Sequence, residues 1–133
     1  MNWQSFTIGD RKICLKSFGR SRLDRALSVC EGFGASLPLP RNEQENTDLN
    51  NIFESLRTYL VALGATDVET EGSWVDSNGD ALTYFNWWNK PFAYYDYSIF
   101  HSGKWSGSSG DRILNVVCQK PDLTGKRIEL KRC

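Results

Sequence analysis

The side chains that could act on another molecule are concentrated between Gly72 and Cys118. Aromatic rings dominate there: Trp74, Tyr84, Phe85, Trp87, Trp88, Phe92, Tyr94, Tyr95, Tyr97, Phe100 and Trp105. Between them lie groups that exchange hydrogen bonds. Asp96 accepts, Lys90 donates, Ser106 does both, and the single histidine, His101, can stack or do either. Rings interleaved with a few polar groups suit binding. They stack on a sugar face or an acetamido group, or anchor a protein partner, where Tyr and Trp carry most of the energy.

Catalysis has little to work with. The chain contains no Gly-x-Ser-x-Gly elbow, phosphate-binding loop or zinc-binding helix. Asp76 and Asp96 can be imagined across a glycosidic bond, but nothing in the sequence makes them converge. No enzymatic activity is therefore expected. Asp76-Ser77-Asn78-Gly79-Asp80 resembles the start of a helix–loop–helix calcium site but lacks the downstream Glu and the flanking helices. Asn78-Gly79 reads instead as a tight turn.

Such a stretch must be held by other elements. It is too rich in Gly, Ser, Asn and Asp for a regular helix and too aromatic for a disordered linker, so it reads as a long ordered loop. Ahead of it, Trp3, Phe6 and Ile8, then Ile13, Leu15 and Phe18, alternate on either side of Gly9-Asp10 and predict a β-hairpin. Ser21-x-x-Asp24 predicts a capping box for a helix carrying Leu23, Ala26, Leu27 and Cys30, stopped by Gly32 and Gly34. Asn42 and Glu45 predict a second box, before a helix with Leu49, Ile52, Phe53 and Leu56 inward and its Asn, Glu and Asp face solvated. Tyr59–Leu63 reads as a buried strand. Strands at Ile113–Leu114 and Asn115–Cys118 close the core, and Arg127–Leu130 adds an edge strand.

Composition narrows the class. The 133 residues suit one domain spanning 1–133, with a core at about 12–120 and a tail at 121–133. Sixteen basic and sixteen acidic residues cancel, which argues against nucleic-acid binding. The Lys126-Arg127 and Lys131-Arg132 pairs read as a solvated tail. No apolar run approaches the ~20 residues of a membrane span, and the first residues lack the regions of a signal peptide. Cys14, Cys30, Cys118 and Cys133 form no Cys-x-x-Cys, which excludes a structural zinc site. Their even number and wide spacing suit two disulfides and a secreted, extracellular protein, with the connectivity left open.

The order of these parts resembles the C-type lectin-like domain. The match runs from about 12 to 120. It rests on Cys14-Leu15-Lys16-x-Phe18, Ala26-x-x-x-Cys30, Gly34-Ala35-Ser36-Leu37 and Asn42-Glu43-x-Glu45-Asn46. It continues through Leu63-Gly64, Gly72-Ser73-Trp74, Leu82-Thr83-Tyr84-Phe85-Asn86-Trp87, Gly103-Lys104-Trp105 and Val117-Cys118. The resemblance implies an α+β fold with two helices flanking small antiparallel sheets and a long ligand-binding loop region. It also implies a Cys30–Cys118 bond. Cys14 matches a cysteine whose usual upstream partner is missing, which leaves Cys133, either within the chain or linking two subunits.

The departures from the family pattern carry as much information. Members that bind sugar through calcium present Glu-Pro-Asn or Gln-Pro-Asp, a later Glu and an Asn-Asp pair. This chain has Lys90-Pro91-Phe92, then Tyr95, then Ser106-Gly107. Calcium takes about six to eight oxygen ligands, mostly anionic, so the usual calcium-and-sugar site is expected to be lost and no metal or other cofactor is implied. Pro91 suggests a retained loop shape with a cis bond before it. The family's second loop disulfide is replaced near Tyr97 and Gly110. Asp67 and Glu71 occupy positions that serve an auxiliary calcium site in some relatives, and Asp96 could join them; here they read as solvated turn carboxylates. Trp74, Trp87 and Trp105 match structural positions. Trp88, Lys90, Phe92, Tyr94, Tyr95, Asp96, Tyr97, His101 and Ser106 are the expected ligand residues. The expected function is a lectin that binds glycans, N-acetylhexosamines among them, without calcium. The alternatives are a module that binds a protein ligand and, more remotely, an ice- or mineral-surface binder. A homodimer, disulfide-linked or non-covalent, would add avidity.

Overall fold

The computed structural model describes residues 2–122 and Cys133. The Arg127–Leu130 strand and the basic tail lie outside the described residues. The expected hairpin is present as β1 (Gln4–Ile8) and β2 (Arg11–Arg22). Gly9 takes φ +57°, the positive value that a two-residue turn opening on glycine requires. β2 runs past Phe18 because the pairing resumes at Arg20 after an irregularity following Ser17, with Gly19 at φ +79°. The other elements are α1 (Leu23–Glu31), α2 (Glu43–Ser55), β3 (Val61–Leu63), β4 (Tyr97–His101), β5 (Lys104–Ser108) and β6 (Ile113–Pro121). One six-stranded sheet has the order β1-β2-β6-β3-β4-β5. The expected antiparallel pairing holds except between β3 and β6, which run parallel and make the sheet mixed.

Alternation along the strands splits the core between the two faces of this sheet. Val61, Leu63, Phe100 and Val117 turn one way, packing with Leu49 and Phe53 of α2. Ala62, Ile99, Val116 and Cys118 turn the other way, packing with Leu23, Ala26 and Cys30 of α1. Cys30 bonds Cys118 and ties α1 to β6, as the family resemblance implied. Cys14 bonds Cys133 within the chain. No cysteine is then left for an intersubunit bond, which removes the disulfide-linked dimer. Each bond closes a loop long enough to stabilise the fold by about 4 kcal/mol in the chain-entropy view.

The two predicted capping boxes fare differently. Ser21 lies in β2, and its hydroxyl donates to the Arg22 carbonyl oxygen at 3.2 Å. No side chain caps α1. Its first free N–H groups, on Leu23 and Asp24, donate instead to the carbonyls of Arg112 and Gly110, each at 2.8 Å. At α2, Asn42 Oδ1 does accept from the Glu45 N–H at 2.9 Å. Glu45 is not on a solvated face, however. It is fully buried, with Arg11 donating to both carboxylate oxygens at 2.8 and 2.9 Å and the Arg41 guanidinium at 3.1 Å. Burial pushes its pKa up, but the hydrogen bonds from Arg11 and Arg41 outweigh that and hold it below the usual carboxylate range.

Glu45→Ala removes the buried carboxylate, while the arginines it pairs with keep 25% and 59% of their side chains exposed and can be rehydrated. It is therefore expected to lower the unfolding free energy by about 1–3 kcal/mol in urea titration. Because the folded pKa is depressed, the Glu45 contribution is complete above the unfolded value and fades as pH falls through the folded one. Stability should thus fall more steeply in acid for the wild type than for Glu45→Gln. An unchanged urea midpoint would mean that the cluster contributes nothing.

Candidate functional site

Residues 64–96 join β3 to β4 with only isolated bridges: Thr66 to Val75, Val75 to Ala81, and Trp87 to Trp105. Trp105 of β5 fixes the end nearest the rings. Its N–H donates to the Asn86 carbonyl at 2.9 Å, and its carbonyl accepts from the Trp88 N–H at 2.8 Å. Its indole is fully buried and donates to Asn46 Oδ1 on α2 at 2.9 Å. Trp87, Tyr84 and Phe85 pack around it at 5.6, 5.7 and 6.5 Å between centroids, and Trp74 meets Trp87 at 4.9 Å. The structural reading of Trp74, Trp87 and Trp105 therefore holds. The 76–80 turn is as expected, with Asp76 Oδ1 accepting from the Asn78 and Asp80 N–H groups and Gly79 at φ +85°.

Outside this layer the rings face solvent. Trp88, Phe92 and Tyr94 are 69%, 63% and 71% exposed. Phe92 and Tyr94 stack at 5.6 Å, and Tyr95 stands edge-on to both at 5.8 and 4.7 Å. Two clefts open here. One, of about 580 Å³, is lined by Trp74, Phe85, Trp87, Pro91 and Ala93 together with Glu71 and Lys90. The other, of about 160 Å³, is lined by Trp88, Asn89, Lys90, Pro91, Phe92, Tyr95, Ser106 and Gly107. Pro91 is preceded by a trans bond, contrary to expectation. It sits against Gly107, where a Cβ would fall 2.7 Å from the Pro91 Cβ; glycine there lets the loop close onto β5.

The nine expected ligand residues divide. Trp88, Lys90, Phe92, Tyr95 and Ser106 line the smaller cleft together, and Tyr94 stacks beside them. Tyr97 does not belong with them. It opens β4, half-buried against the α1 side of the core, and burial followed by the charges of Asp24 and Asp96 pushes its hydroxyl pKa up. Its Cε2 would lie 2.8 Å from a Cβ at Gly110, so the ring spans the place of the missing disulfide. His101 is also apart, exposed at the β4–β5 turn opposite Lys104. Two residues read as structural, Trp74 and Trp87, turn out to be cleft walls as well. Their motif positions marked them for the core, and nothing local signalled the second role.

Asp67, Glu71 and Asp96 are not ordinary solvated carboxylates. Asp67 is 2% exposed. Its Oδ2 accepts from the Gly72 N–H at 2.8 Å, while among the described residues its buried Oδ1 receives no donor from outside the acidic cluster. Carboxylate oxygens of the three lie within 4.8 Å of one another. Desolvation, then the Asp67 charge, push Glu71 above its usual pKa range; the hydrogen bond to Asp67, then desolvation, do the same to Asp96. Three converging carboxylates, one of them buried, fit a hard cation such as calcium. Asp67, Glu71 and Asp96 would hold it, and its charge would offset their repulsion.

The family model of the lectin C-type domain matches residues 20–120, and the chain belongs to that family. Solved structures agree on the fold. The mouse scavenger receptor C-type lectin carbohydrate-recognition domain shares 22% identity at TM-score 0.73, covering 90% of this chain and 95% of that one. The C-type lectin CEL-I from Cucumaria echinata shares 18% at 0.71, covering 88% and 93%. A calcium-independent type II antifreeze protein shares 18% at 0.73, covering 90% and 91%.

Raised carboxylate pKa values mean that the folded state takes up protons more readily than the unfolded one. These groups therefore make stability fall as pH rises from the unfolded carboxylate range through the raised folded values. Millimolar calcium should raise Tm at neutral pH, by about 4 °C per kcal/mol of binding. The gain should shrink toward acid and vanish in Asp96→Asn. A calorimetric Tm indifferent to calcium would refute a cation at this site.

Proposed function

We propose that this protein is a lectin that binds glycans, N-acetylhexosamines foremost, on the rings of the long loop and without a calcium ion in the sugar contact. One observation carries the reading. The cleft formed by Trp88, Lys90, Phe92, Tyr95 and Ser106 offers exposed rings and hydrogen-bonding groups but no carboxylate. An ion needing several anionic oxygens has no ligand set there. A ring, by contrast, can take the apolar face of a sugar while the Lys90 ammonium, the Ser106 hydroxyl and the Asn89 amide take its hydroxyls. Asp96 then serves the loop through the carboxylate cluster, and Tyr97 and His101 fall outside the contact.

Among structures of the same fold, one is described as a carbohydrate-recognition domain, while the calcium-independent one is an antifreeze protein and belongs with the ice-binding alternative. The two disulfides fit secretion into an oxidising compartment, and a non-covalent homodimer would raise avidity by presenting two loops. The rival reading is a protein-recognition module using the same rings as hot spots. Clefts large enough for sugar rings favour the lectin.

A glycan array run in EDTA, well below the melting temperature in EDTA, should show retention of N-acetylhexosamine glycans. Trp88→Ala and Tyr95→Ala should each weaken binding about three- to tenfold, the value of one aromatic stacking contact. An array blank in EDTA for a folded sample overturns the reading.

A further inference from the structure

The two clefts are neighbours, and their shared wall is informative. Lys90 and Pro91 line both. At about 160 Å³ the smaller cleft lies below the ~300–1,000 Å³ usual for a complete ligand site, whereas the larger, at about 580 Å³, lies within it. Each has its own aromatic platform: Trp74, Phe85 and Trp87 in the larger, Trp88, Phe92 and Tyr95 in the smaller. An extended ligand that crosses the Lys90–Pro91 ridge would use both.

Charge gives that ligand a direction. Lys90 is, among the described residues, the one cation lining either cleft. Among the described residues its ammonium has no ion-pair or hydrogen-bond partner. The larger cleft is also lined by one acid, Glu71, whose carboxylate lies beside those of Asp67 and Asp96. An anionic group placed at Glu71 would be repelled, and one placed at Lys90 would be attracted. An amide or hydroxyl donor finds its acceptor at Glu71.

Taking the loop as the glycan site proposed above, we propose that it recognises an acidic oligosaccharide across two subsites. A hexosamine occupies the larger cleft, its N–H or hydroxyl toward Glu71. The neighbouring sugar occupies the smaller cleft and bears a carboxylate that meets Lys90. Specificity comes from the pair of charges, and stacking supplies the common affinity.

The test compares glucuronate linked to N-acetylglucosamine with the neutral disaccharide that has glucose in place of glucuronate, by calorimetry in EDTA. The acidic probe should bind about fivefold tighter at ~0.01 M salt, as one exposed ion pair allows, and the gap should narrow by ~0.15 M. Lys90→Gln should remove the preference, Lys90→Arg keep it and Lys90→Glu invert it. In NMR spectra, the acidic disaccharide should shift the indole N–H signals of both Trp87, in the larger cleft, and Trp88, in the smaller. Equal or tighter binding of the neutral probe, a preference that survives Lys90→Gln, or a Trp87 signal that never moves while Trp88 responds overturns this inference and leaves the lectin reading in place. The same holds if neither disaccharide binds while other glycans on the array do. If no glycan of any kind binds, both readings fail.

Discussion

One buried side chain holds the loop to the sheet. Trp105 sits on the edge strand β5 with no exposed surface, and every polar group it owns is used. Its backbone pairs with Asn86 and Trp88, and its indole N–H reaches Asn46 on α2. Asn46 in turn donates to the Gly103 carbonyl, which also accepts from Asn86. Residues 64–96 have no strand of their own, so their ordering entropy, about 1–2 kcal/mol per residue for the backbone, must be offset by such contacts. Three neighbouring rings close over Trp105, and the next residue outward, Trp88, is pointed into solvent by the same pairing. The exposed rings are thus placed by a rigid element rather than by the loop itself.

Two glycines do work that other atoms do elsewhere in the family. At Gly110 a Cβ would lie 2.7 Å from the Asp24 Cβ and 2.8 Å from the Tyr97 ring. The glycine carbonyl meanwhile receives the Asp24 N–H at the start of α1. Ring packing and a backbone cap stand where the family resemblance places a disulfide. At Gly107 the same absence of a side chain admits Pro91. Both glycines allow close approach, of Pro91 to β5 at Gly107 and of Tyr97 and Asp24 at Gly110.

The fold was legible because its signals are repeated along the chain. Helical spacing at Leu49, Ile52 and Phe53, alternation across Gly9-Asp10, and ordered motifs from Cys14 to Cys118 all point one way. The misreadings share a cause, which is partners distant in sequence. Ser21-x-x-Asp24 has the pattern of a box, but Gly110 and Arg112 reach the helix end first. Glu45 looks like a solvated acid until Arg11, thirty-four positions earlier, is seen to pair with it. The β4–β5 hairpin hid in a Ser- and Gly-rich stretch, although Ser102-Gly103, both at positive φ, is a turn signal of its own. Tyr97 and His101 read as loop residues in a sequence that hides the hairpin; as the first and last residues of β4 they stand at its opposite ends, about 13 Å apart.

Burying Asp67 beside two other carboxylates is costly in isolation, so its position asks for a reason. The Oδ2 atom holds the Gly72 N–H, and Gly72, at φ +81°, turns the chain so that residues 71–74 form one wall of the larger cleft. The acidic cluster and the aromatic wall are therefore one unit, and Glu71 belongs to both. Lys90 lines the same cleft, and its neighbour Pro91 packs on Gly107. Stacking alone tolerates many ring faces and many rotations of each. A cleft lined by both an acid and a cation accepts only those orientations that respect both, a constraint that the rings alone do not impose.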